Sequence, residues 1–130
     1  MGRILTTRQL IDRGACNEQV EAFRSRFGES VEVTPELCES VVAVFDWVWA
    51  ASNLLSARAY AEYQRVRAAA RAKYDHARAQ AWADHVQQVA WSAYAGYDRV
   101  EAAAWAEYER AKARAFGEAY NSPSQIEVTS

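Results

Sequence analysis

A chain of 130 residues is the size of one domain and long enough to bury a core without disulfides or a metal. A hydrophobic content of 51 % excludes intrinsic disorder, and a formal charge of −2 excludes a polycation built to coat nucleic acid. Cys16 and Cys38 are too few for a disulfide framework and lack C-x-x-C spacing, so two free, buried thiols in a reducing cytosol are expected.

The N-terminal MGRILTTRQLIDRG has no apolar core of signal-peptide length, and no stretch approaches a membrane span, which points to a cytoplasmic protein. Thr6 and Thr7 can cap a short helix whose Leu10 and Ile11 face inward, with Gly14 ending it in a left-handed conformation. Cys16, Val20, Phe23 and Phe27 then recur at helical spacing, predicting one buried face of a second helix that stops at Gly28. Residues 30–34 (SVEVT) alternate like a short strand.

Thr34-Pro35-Glu36-Leu37 supplies a cap followed by proline at the first helical position, so a third helix is expected to carry Leu37, Val41, Val44 and Phe45 inward. Asp46 can break or recap it, and Trp47, Ala50, Ala51, Leu54 and Leu55 share the next face. Trp47 and Trp49 point about 160° apart on a helix, so one core cannot bury both.

From Ser56 to Tyr120 a near-repeat of eleven residues takes over: AYAEYQRVRAA at 59–69, ARAKYDHARAQ at 70–80, AWADHVQQVAW at 81–91, then AYAGYDRVEAA at 93–103 and AWAEYERAKAR at 104–114. Its first, fifth and eighth columns, with Tyr63, Tyr74, Tyr97 and Tyr108, form the inward stripe of a helix. A second column places Tyr60, Arg71, Trp82, Tyr94, Trp105 and Phe116 beside that stripe. The opposite columns are nearly all alanine, which suits either close helix approach or a solvated face. One helix over 57–120 would be about 95 Å long, so the chain folds back or pairs with another chain. The register slip at Ser92 and the glycine at Gly96 favour two antiparallel helices, about 57–91 and 97–119, over an unbroken helix in a dimeric coil. The tail from residue 121 holds QIEVT, which either pairs with residues 30–34 as a minimal ladder (125–129) or is unstructured. The expected fold is all-α, a head of short helices at 1–55 packed on a long helical hairpin.

Charge is unevenly placed. Residues 1–55 carry five Arg against eight Asp and Glu, whereas Arg58, Arg65, Arg67, Arg71, Lys73 and Arg78 face only Glu62 and Asp75 within 58–78. Chemistry is sparse. His76 and His85 lie about 180° apart on a helix and cannot share a metal, and neither faces its neighbouring Asp75 or Asp84. The five glycines are isolated, so no phosphate-binding loop exists, and both cysteines fall on apolar faces without a base. Neither an enzyme nor a cofactor or metal site is expected.

The block GAC-x-x-Q-V-x-x-F-x-x-x-FG-x-S-VEVT at 14–34, DW-x-WAA-x-x-LLSA at 46–57 and the AEYxRV-type units at 61–66 and 106–111 resemble a group of small phage and prophage proteins with a helical head and variable repeats. In units 70–91 the Glu-Tyr pair has become Lys73-Tyr74 and Asp84-His85. The resemblance implies a phage or mobile-element origin, and with it a non-enzymatic protein that binds and occludes a host protein complex, such as an anti-CRISPR inhibitor of a defence system. The residues that would meet this partner are Trp49, Arg58, Arg65, Arg67, Arg71, Lys73, Arg78 and Trp91. Two alternatives stand beside it, a nucleic-acid-binding protein using the basic 58–78 helix and a structural or scaffolding phage protein, with the chain a monomer or homodimer.

Overall fold

The computed structural model is described for residues 2–86 and 91–128, the side chains of 91–95 and 126–128 excepted. It is mostly helical, with one two-stranded antiparallel sheet. Strand β1 (Ile4–Thr6) leads into α1 (Thr7–Asp12), followed by α2 (Asn17–Phe27), β2 (Ser30–Glu32), α3 (Pro35–Ser40), α4 (Trp47–Leu54), α5 (Ala57–Val86) and α6 (Trp91–Tyr120), and a 3₁₀ turn over Pro123–Val128.

Local signals account for most helix ends. Thr6 and Gln9 form a reciprocal capping box, the threonine hydroxyl accepting from the Gln9 amide at 3.1 Å while the Gln9 side chain accepts from the Thr6 amide at 2.8 Å. Gly14 and Gly28 adopt φ of 88° and 76° after α1 and α2, where a side chain would be strained. Thr34 caps α3 by accepting from the Leu37 amide at 3.0 Å, with Pro35 at the first helical position. Asp46 recaps the chain at Trp49, 3.0 Å away.

Several expectations are corrected. The strand at 30–32 pairs with β1, Leu5 opposite Val31, and not with the tail, whose residues 123–128 form the 3₁₀ turn; residues 129–130 lie outside the described residues. The pairing is set at its ends, where the Thr7 amide donates to Glu29 at 2.9 Å and the Val33 amide to Arg3 at 2.8 Å. Ile11 is 48 % exposed while Leu10 is buried, because a six-residue helix offers little inward face. Cys16 is exposed, since it stands before the first turn of α2; Cys38 alone is buried. Helix α3 ends at Ser40 and not at Phe45, as the β-branched residues Val41, Val42 and Val44 carry the chain through turns. Helix α6 already begins at Trp91, so Gly96 lies within it and does not separate the two helices; residues 87–90 lie outside the described residues.

The head core is a line of rings. Phe23, Phe27, Phe45, Trp47, Phe116 and Tyr120 follow one another at centroid distances of 5.2, 6.0, 6.2, 5.7 and 5.6 Å. The last two belong to α6, so the head closes only on the far end of the hairpin. Helix α3 crosses α6 closely at Gly117, where an added Cβ would lie 2.9 Å from the Pro35 Cα and 3.1 Å from the Cys38 sulfur.

The segment after α6 is a clasp, not a loose tail. Asn121 accepts from the Arg3 amide at 2.8 Å and donates to the Val33 carbonyl at 2.9 Å. Buried Gln125 accepts from the Ser56 amide at 2.7 Å and donates to the Leu54 carbonyl at 2.7 Å, while the Ser124 hydroxyl donates to Glu62 at 2.6 Å. The two Gln125 bonds satisfy the Leu54 carbonyl at the end of α4 and the Ser56 amide before α5, which the helix ends would otherwise leave bare.

Candidate interaction surface

The head touches the hairpin around Ala59 and Tyr63 on α5 and from Ala113 to Tyr120 on α6. Residues 64–86 and 91–112 therefore form an arm beyond the head, about 35 Å long at 1.5 Å per residue. Its seam is thin: among the described residues of the arm only Tyr74, Ala81 and Tyr108 are buried. Alanines at 70, 77, 104 and 111 line a shallow cleft of about 90 Å³ between the helices. Polar ties join the two helices, among them Lys73 to Glu107 at 3.2 Å, the Tyr74 hydroxyl donating to Glu101 at 3.2 Å, and Arg78 donating to Tyr97.

One side of the arm is aromatic. The Arg71 guanidinium sits over the rings of Tyr74, Trp105 and Tyr108 at 5.3, 5.8 and 5.7 Å, and is also paired with Asp75 at 3.3 Å. Toward the tip, Trp82 packs edge-on to Tyr97 at 5.4 Å and beside His85 at 5.2 Å. These rings are incompletely covered: Trp82 is 51 % and Trp105 42 % exposed. Both belong to the second column of the repeat, which lies beside the inward stripe, and that offset puts a large ring at the rim of the seam.

The structure does not gather the expected partner residues. At 100° per residue Arg67, Arg71 and Arg78 fall within about 40° on the aromatic side, Arg58 and Arg65 share the outer face, and Lys73 lies on the opposite flank. A basic cluster in the sequence is thus three separate placements in space. Trp49 is half-buried in the head, at the wall of an apolar cavity of about 60 Å³, while Trp47 is buried and donates its indole N–H to the Val42 carbonyl at 2.9 Å. The Trp91 side chain lies outside the described residues. Trp82 and Trp105, the most prominent rings of the surface, were visible in the repeat but not singled out.

Ionisable groups inside the molecule are tuned by burial. Desolvation pushes the Cys38 thiol up to about 12, which leaves it protonated and poorly nucleophilic at neutral pH. Burial likewise raises Tyr63 to about 12 against the pull of the nearby Arg67 guanidinium. Among the described residues, no group of three or more His, Cys, Asp and Glu is placed to hold a metal ion, and no helix is long and apolar enough to cross a membrane.

No family model matches the chain, and no curated protein or solved structure matches it.

Proposed function

We propose that the protein is a non-enzymatic interaction protein that covers a functional surface of a partner, with the arm as the element that reaches it. The observation that carries this reading is the pair Trp82 and Trp105, half-exposed on one side of an arm that the head does not cover. Tryptophan flanked by arginine is the composition of binding hot spots, and a seam with so few buried residues gains most from being covered by something else. The resemblance to phage and prophage proteins supports a host protein complex in the bacterial cytoplasm as the partner, a defence nuclease being the concrete candidate. Separation of the basic residues onto three sides weighs against a nucleic-acid track, which needs cations aligned along one groove.

Affinity capture from a nuclease-treated host lysate tests the reading. A stoichiometric protein partner is expected with the wild-type chain, and its loss with Trp82→Ala/Trp105→Ala while the helical content stays unchanged. Retention of the partner by that double variant, or capture of nothing, would overturn it.

A further inference from the structure

Opposite the arm, where β1, α1, the end of α4 and the end of α6 meet, lies a groove of about 440 Å³ lined by Arg3, Ile4, Gln9, Asp12, Arg13, Leu54, Tyr120 and Gln125. It is far larger than the head cavity and falls in the range of small-molecule sites. Its charge is one-sided. Asp12, the single carboxylate on its wall, is taken up by Arg8 at 3.3 Å, whereas Arg3 and Arg13 have no carboxylate partner among the described residues. Arg3 and Arg13 both line the groove, as does Tyr120, a residue 5 % exposed whose hydroxyl burial raises above its ordinary value while the two nearby guanidiniums pull it partly back. Gln9, which caps α1, lies beside the same hydroxyl. The lining also has an apolar part, Ile4, which is 55 % exposed, and buried Leu54.

We propose that this groove binds a small organic anion, its carboxylate or phosphate held between Arg3 and Arg13 beside Tyr120 and its apolar body laid on Ile4 and Leu54. Two guanidiniums lining one groove recognise an oxyanion by charge-assisted hydrogen bonds, each able to offer two N–H groups. Exposed Ile4 supplies the surface that a bare inorganic ion would leave uncovered. The Arg3 backbone is fixed by hydrogen bonds to Asn121 and Val33, so its side chain is presented from a braced strand end and not from a loose terminus. This site is separate from the arm and stands whether or not the arm meets a host protein.

The full chain is titrated with benzoate and, separately, with inorganic phosphate, followed by calorimetry and by amide chemical shifts of β1 and α1. Saturable binding of one benzoate is expected, tighter than phosphate by at least ~10-fold and weakened by at least ~10-fold in both Arg3→Ala and Arg13→Ala. Arg26→Ala, which removes an exposed cation outside the groove, is expected to leave binding unchanged, and thermal unfolding of each variant checks that the fold persists. Absence of saturable binding, equal affinity for phosphate and benzoate, or equal loss in Arg26→Ala would overturn the assignment.

Discussion

The head and the arm are built from the same chain by opposite means. The head packs six aromatic rings into a continuous line, draws α3 against Gly117 closely enough to exclude a methyl group, and is stitched by side-chain hydrogen bonds from Asn121 and Gln125. The arm relies on alanine and on local helix propensity, with three buried residues along its described length. Stability in the first comes from burial of large side chains; in the second it comes mainly from the backbone, with Tyr74 and Tyr108 buried while Trp82 and Trp105 stay at the rim. A region held together in this way keeps its shape without closing its surface, which is what a docking element requires.

The sharpest way to break the comparison is Phe116→Ala. Phe116 is 2 % exposed and touches both Trp47 and Tyr120, so its truncation is expected to cost about 3–5 kcal/mol in urea-induced unfolding, although it lies on the same helix as the arm. Gly117→Ala comes next. The new methyl would push on the Pro35 backbone and the Cys38 sulfur, and a loss of roughly 1–3 kcal/mol is expected despite the better helix propensity of alanine. The same substitution at Gly96 has the opposite sign, because nothing lies within 4 Å of the position; a gain of up to ~1 kcal/mol is expected. Equal signs at the two glycines would erase the distinction between a packed head and an open arm.

The smallest effect concerns the clasp at their boundary. Hydrogen bonds from Ser124 and then Ser122 hold the Glu62 carboxyl below its usual value of 4.5. A lowered folded pKa means that the contribution is fully present above the usual carboxylate range and is lost as pH falls through the folded value. Thermal unfolding in acid is expected to show this loss below about pH 4, and Glu62→Gln to flatten it.

Fold and surface were not equally legible in the residues. The capping box at Thr6, the Thr34-Pro35 start, the glycines at 14 and 28 and the eleven-residue period are local signals, and each has a local cause. The β1 pairing with β2 was hidden because Ile4–Thr6 is too short to show alternation and its partner is chosen by backbone bonds at both ends. The clasp was hidden for a related reason: Gln125 reaches Leu54 and Ser56 across some seventy residues, a distance no periodicity reports. Gly96 misled because a helix tolerates one glycine where no packing depends on it. On the surface, a run of six cations invited a single face, yet helical rotation dispersed them, while the rings at Trp82 and Trp105 needed the hairpin partner before their exposure had meaning.

The place of Phe116 and Tyr120 in the head also sets an order of events during synthesis. Trp47 leaves the ribosome about 70 residues before the ring that covers it, so throughout translation of the arm the apolar faces of α3 and α4 have no lid. Native closure waits for the return of α6, a contact of long sequence separation and hence of slow formation. A chain cut anywhere within the arm would therefore not yield a shorter version of this protein. It would yield an open half-core, ready to aggregate or be degraded, and the production of the arm becomes a condition for the head to exist.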